Sequence, residues 1–178
     1  NSTFSGNDAD SSASGQGGAI SIHVSPSDPV SISNTVFSSN ESELDGAALF
    51  IGQSGDAIIS GCTFTANSGS GQANSYDRHG GAVYAYGASS LNVNNSLFVS
   101  NVSALTNTSN PLNRTTRGGA LHAEAIAGAV EIVNSVFVEN QSDDFGGAIG
   151  VESVGSYLIQ NNSFAGNASA QGGCAIIT

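Results

Sequence analysis

Two tetrapeptides, G-G-A-aliphatic and F-x-x-N, alternate along the whole sequence, and their spacing constrains the fold more than any other feature. Counted from the first glycine, the first kind begins at Gly17, Gly46 (as Gly46-Ala47-Ala48-Leu49), Gly80, Gly118, Gly146 and Gly172. The second kind is Phe4-Asn7, Phe37-Asn40, Phe64-Asn67, Phe98-Asn101, Phe137-Asn140 and Phe164-Asn167. From glycine to the next Phe the distances are 20, 18, 18, 19 and 18 residues; from Phe to the next glycine they are 13, 9, 16, 20, 9 and 8. One segment is nearly constant and the other absorbs all the variation. That is how a solenoid takes insertions, with its rungs in register and one set of corners bulging.

Within the constant segment apolar residues recur every second position, which is the period of a strand. Ile20 and Ile22, Leu49 and Ile51, Val83 and Ala85, Leu121 and Ala123, and Ile149 and Val151 share one face. Further on, Val30 and Ile32, Ala57 and Ile59, Leu91 and Val93, Val130 and Ile132, and Tyr157 and Ile159 do the same. The parity then flips before each Phe, so a bend is expected at Asn34, Gly61, Asn95, Asn134 and Asn161. Asn tolerates the left-handed backbone of such a corner, and stacked Asn amides can hydrogen-bond from rung to rung. A repeat of 26 to 39 residues built from short strands reads as one turn of a parallel β-helix. The expectation is an all-β solenoid of about five to six turns, a single domain over 1–178. A β-sandwich is the runner-up, but it leaves the constant glycine-to-Phe spacing unexplained.

Phe4, Phe37, Phe64, Phe98, Phe137 and Phe164 are expected to form one inward ladder. On the opposite face of the strand after the glycines, Phe50, Tyr84 and His122 should stack on successive rungs with Tyr86 beside them. That column is either an exposed platform for sugar rings or a neighbouring protein, or a surface covered by a loop. The variable segments 8–16, 68–79 and 102–117 should leave the helix along one edge.

Charge is sparse and one-sided: 14 acidic residues against 3 basic, a formal net charge of −11. A polyanion such as nucleic acid would be repelled. No apolar run is long enough to span a bilayer, so no membrane insertion is expected. The opening at Asn1 without Met reads as a processed product or an excerpt of a longer repeat protein or fibre. Cys62 and Cys174 lie about four rungs apart, roughly 19 Å at the strand spacing, too far for a disulfide. They read as two small buried thiols.

Nine N-x-S/T sequons, at Asn1, Asn40, Asn94, Asn101, Asn107, Asn113, Asn140, Asn161 and Asn167, favour a secreted glycoprotein. Asn107, Asn113 and Asn94 are the expected glycan sites. Asn40, Asn101, Asn140 and Asn167 sit in F-x-x-N, where a laddered amide cannot also carry a sugar.

The alternating tetrapeptides resemble the repeats of the chlamydial polymorphic outer membrane proteins, a family defined by G-G-A-[I/L/V] and F-x-x-N. Six of six F-x-x-N units and four of six G-G-A-aliphatic units match cleanly; Gly46-Ala47-Ala48-Leu49 and Gly172-Gly173-Cys174-Ala175 depart slightly. The resemblance implies a right-handed β-helix, surface display and adhesion.

Some parallel β-helices cleave pectin, using clustered carboxylates or carboxylates with calcium. Here Asp143-Asp144 is the only adjacent acidic pair, Asp8 and Asp10 form a looser one, and both read as solvated loop acids. His23, His79 and His122 fall on different corners or rungs without ligand spacing, and no carboxylate recurs at the Arg78-His79-Gly80 edge. No catalytic, cofactor or metal residues are assigned. The reading is an extracellular structural or adhesive β-helix, with copies stacking head to tail along the axis and glycans or cell-surface proteins as further partners. The alternatives are a carbohydrate-binding module and, behind it, a polysaccharide lyase or hydrolase.

Overall fold

The structure, a computed structural model, describes residues 1–9, 15–69, 78–104 and 115–178. It is a parallel β-helix, all-β among the described residues. The turns build four stacked parallel sheets of five or six strands and a fifth of two, and each strand pairs with its equivalents in the adjacent turns. The sheet that follows the glycines holds Ile20–His23, Leu49–Gly52, Val83–Tyr86, Leu121–Glu124, Ile149–Glu152 and Ile176–Ile177. The next holds Val30–Ser33, Asp56–Ser60, Ser90–Asn94, Ala129–Val133 and Ser156–Gln160. After a bend comes the phenylalanine sheet, Ser2–Ser5, Thr35–Ser38, Thr63–Thr65, Leu97–Val99, Val136–Val138 and Ser163–Ala165. A sheet of two-residue strands, from Asp8–Ala9 to Ala168–Ser169, closes the turn.

The phenylalanines pair rung on rung, Phe4 with Phe37 through to Phe137 with Phe164. Their rings stack 4.7 to 5.2 Å apart and within 10° of parallel. Phe37, Phe64, Phe98 and Phe137 are fully buried, while Phe4 and Phe164, on the outermost rungs, are half-buried. The aliphatic positions fill the rest of the interior in the same register. Burying each Phe contributes about 1.5–3 kcal/mol.

At the bend, Asn34, Asn95, Asn134 and Asn161 have φ of 49°, 49°, 51° and 56°, and Gly61 has 62°. Their side chains point to solvent and form no buried column. The column runs one residue later instead. Thr35, Cys62, Ser96, Ser135 and Asn162 occupy the first inward position, where the backbone N–H of Cys62 donates to Ser96 Oγ (3.2 Å), that of Ser96 to Ser135 Oγ (3.1 Å) and that of Ser135 to Asn162 Oδ1 (2.8 Å).

The main amide ladder is built from the asparagines of F-x-x-N. Nδ2 of Asn7, Asn40, Asn67, Asn101 and Asn140 each donates to Oδ1 of the next rung's Asn at 2.8 to 2.9 Å. The second Nδ2 hydrogen goes to a Phe carbonyl of the rung before, as from Asn101 to Phe64 O (3.0 Å). Oδ1 also accepts the preceding Asn backbone N–H, so both amide atoms are saturated. The residue before each Asn is left-handed, including Ala66 (53°) and Glu139 (55°). Such backbone costs about 1–2 kcal/mol per non-glycine residue, which the ladder on either side offsets.

The glycine pair does two separate jobs. Gly80 has φ of 65°, and a Cβ on Gly81 would lie 2.0 Å from the Gly119 carbonyl oxygen of the next turn. The same geometry corrects the last repeat. Gly173, not Gly172, is the left-handed glycine (63°), and Ile176 rather than Ala175 pairs with Ile149. The unit is therefore Gly173-Cys174-Ala175-Ile176, one residue later than the tetrapeptide match placed it. Both cysteines are free; Cys62 is buried, but Cys174 is exposed, against the expectation of two buried thiols.

Candidate functional site

The outward face of the post-glycine sheet stacks Ser21, Phe50, Tyr84, His122 and Gly150 in register. Phe50, Tyr84 and His122 are buried, at 4%, 6% and 0% exposure; of the four aromatics expected on this face only Tyr86 (40%) is open. The exposed platform is thus overturned for three of its four residues. The cause lies in the residues just before each glycine pair. Arg78–His79 pairs with Thr116–Arg117, and single bridges continue the line to Phe145 and Gly172. This line lies over the face, and the His79 ring stacks on His122 (4.6 Å) and meets Tyr84 at a tilt (5.3 Å).

His79 and His122 are therefore in contact, although the sequence places them 43 residues apart. Glu124 lies two residues after His122 on the same strand face. Its Oε2 accepts from the Tyr84 hydroxyl at 2.7 Å and stands 3.7 Å from His122 Nε2, too long for a hydrogen bond. One donor atom from each of His79, His122 and Glu124 lies within 4.8 Å of the other two. A carboxylate also reaches the Arg78-His79-Gly80 edge. Asp45 Oδ1 accepts the His79 backbone N–H at 2.9 Å and sits 3.4 Å from His79 Nδ1. Both readings from sequence at this edge, scattered histidines and no carboxylate, are corrected.

His122 has no solvent exposure, and among the described residues neither ring nitrogen has a hydrogen-bond partner. Gly150 makes room for it, since a Cβ there would come 2.4 Å from His122 Nδ1. Burial pushes the imidazole down to about 4, so it is neutral at physiological pH. His122, and then the Tyr84 hydroxyl, hold Glu124 below the usual carboxylate range against its partial burial. Burial and the bond to Glu124 raise Tyr84 well above its ordinary value. Beyond the cluster, Arg117 pairs with Glu152. Two imidazoles and a carboxylate at this spacing are of the type that can hold a metal ion.

The other anticipated sites scatter. Asn94 is half-buried on an outward face, donating to Asn92 Oδ1 and accepting from Ser60 Oγ, both at 2.6 Å. Asn107, Asn113 and Asp10 lie outside the described residues. Asp144 is not a solvated loop acid. It is 8% exposed and braces its corner by accepting from the Thr116 backbone N–H (2.8 Å) and Gln171 Nε2 (2.5 Å).

Residues 1–23, spanning Phe4-x-x-Asn7 and Gly17-Gly18-Ala19-Ile20, match the family model of the Chlamydia polymorphic membrane protein (Chlamydia_PMP) repeat. That stretch is similar to a chlamydial-type polymorphic membrane protein repeat. The matched stretch takes in one copy of each tetrapeptide, and the strands that carry the later copies follow its own strands in the same parallel sheets. No curated protein and no solved structure matches the chain.

Proposed function

We propose that this chain is a stretch of a surface-displayed β-helical rod that works as a structural and adhesive element and not as an enzyme. The observation that carries the reading is the outer face of the phenylalanine sheet. Val36, Leu97 and Val136, all in line one residue before a Phe, are 39%, 37% and 37% exposed. Thr63 stands between them in the same column, and Ser38, Thr65, Val99 and Val138 form the column beside it. This flat face holds no charged residue in a chain of net charge −11. A neutral, half-apolar plane on an acidic rod suits contact with another protein. The repeat family, a membrane protein family by its description, supports display at a cell surface.

The carbohydrate-binding alternative is weakened by burial of the aromatic column, which removes its stacking platform. Adhesion of the immobilised chain to host cells tests the first reading. Replacing Val36, Leu97 and Val136 together by Asp should abolish adhesion with the melting temperature nearly unchanged. Adhesion that survives this change overturns the assignment of the face. Release of reducing sugar from polysaccharides would overturn the non-enzymatic reading, and selective retention on a glycan array would favour the binding module.

Association of copies head to tail along the axis belongs to the same proposal. It is supported by ladders whose hydrogen bonding a further rung would extend, whether from the same chain or from another copy. Light scattering over a range of concentrations should show growing mass; a concentration-independent monomer would rule the stacking out.

A further inference from the structure

We propose that His79, His122 and Glu124 bind one divalent transition-metal ion of the Zn2+ kind, fastening the corner that carries His79 to the strand of the following turn. The site is separate from the adhesive face and stands or falls independently of it.

Four observations carry the assignment. His122 and Glu124, two apart on one strand, project from the same face, and His79 is laid over them from the preceding turn. Their donor atoms lie within 4.8 Å of one another, with His122 Nε2 and Glu124 Oε2 already 3.7 Å apart. A tetrahedral ion with bonds of about 2.0–2.1 Å needs its ligand atoms about 3.3–3.5 Å apart, so closure asks for roughly 1 Å of side-chain movement. His122 is fully buried and among the described residues neither ring nitrogen has a partner, a condition that costs free energy and that a metal ion would relieve at one of the two nitrogens. Finally, two of the three ligands, His79 and Glu124, already have supports of the kind that orient metal ligands. Asp45 Oδ1 stands 3.4 Å from His79 Nδ1, and the Tyr84 hydroxyl is held on Glu124 at 2.7 Å.

The donor set selects the ion. Two imidazole nitrogens and one carboxylate oxygen suit Zn2+ and its borderline neighbours, whereas Ca2+ and Mg2+ take oxygen ligands. A water would complete the tetrahedron on the open side, since the Glu124 side chain retains 29% exposure. The charges of Glu124 and Asp45 balance the ion.

Zn2+ titrated calorimetrically into the untagged, chelator-treated chain is the test. The expected result is saturable binding of one ion per chain, a raised melting temperature, and no comparable effect from Ca2+. His79→Gln and Glu124→Gln should each weaken binding by about 100-fold or more, and Asp45→Asn by about 10-fold. His79 sits on a corner and Glu124 is partly exposed, so neither change opens a cavity in the core. Co2+ loaded into the unsubstituted chain gives a second readout, the intense visible absorption of a four-coordinate nitrogen and oxygen site. Absence of saturable Zn2+ binding, or parental affinity in both the His79 and Glu124 variants, overturns the proposal.

Discussion

The rings of Phe98 and Phe137 lie 4.7 Å apart and 4° from parallel. Paired strands are about 4.7–4.9 Å apart, so the ring separation is the strand separation. The stack is imposed by the register of the backbone and not chosen by the rings. Phe98→Ala removes the middle of that column from a site with no exposure, and the rings above and below are held too firmly by their strands to close the gap. It should cost about 3–5 kcal/mol, read as a lower urea midpoint with little change in slope. A variant that melts like the parent would refute the register.

Asn101 tests the amide ladder. Its replacement by Ala leaves the Asn67 backbone N–H and one Nδ2 hydrogen of Asn67 without an acceptor and takes the side-chain donor from the Phe64 carbonyl. A loss of about 3 kcal/mol is expected. Asn101→Asp preserves the shape but sets carboxylate oxygens against Asn140 Oδ1 and the Phe64 carbonyl. It should be at least as damaging as Ala. If Asp were tolerated, packing rather than hydrogen bonding would be holding this corner.

The same ladder decides among the sequons. A glycan replaces one Nδ2 hydrogen, and in Asn40, Asn101 and Asn140 both are already donated to buried oxygens. Glycopeptide mass spectrometry after expression in a secretory host should find these three bare, with sugar on Asn107 and Asn113 of the variable segment. Occupancy at Asn101 would mean that this ladder does not form.

Gly81 and Gly6 separate steric from conformational demands. Gly81→Ala pushes a methyl into the Gly119 carbonyl oxygen and the Val102 carbonyl carbon, at 2.0 and 2.5 Å, and should prevent this corner from closing. Gly6 has φ of 62° but open space around it, so Gly6→Ala should cost only about 1–2 kcal/mol. Thermal melts of the two variants should differ widely; similar melts would contradict the close approach at Gly81.

The alternation of tetrapeptides made the helix, its rung count and the Phe ladder legible, because each turn repeats one local rule and errors cannot accumulate. The last turn shows the limit. Gly172-Gly173 matches the glycine pair by eye, yet Gly173-Cys174 fills it in space, since Cys174 takes the second-glycine position. A distance of 9 residues from Phe164, as from Phe37 to Gly46 and Phe137 to Gly146, was the available signal. The His79–His122–Glu124 cluster was not legible for a different reason. Side chains on one strand could be read from parity, but His79 arrives through a variable segment whose length says nothing about where it lands. Only the residue immediately before each glycine pair, read as a column of its own, would have placed His79 and Arg117 over the aromatic face.

The amide ladder also has a direction. Each Nδ2 points to the Oδ1 of the later rung and never the reverse. The side-chain dipoles therefore add along the axis, so that the Asn7 side of the column offers an acceptor and the Asn167 side a donor. Two like faces brought together would set oxygen against oxygen or hydrogen against hydrogen. Any rung that joins the column must enter with the same vectorial sense, which makes growth along this axis polar in the way a filament with unlike tips is polar.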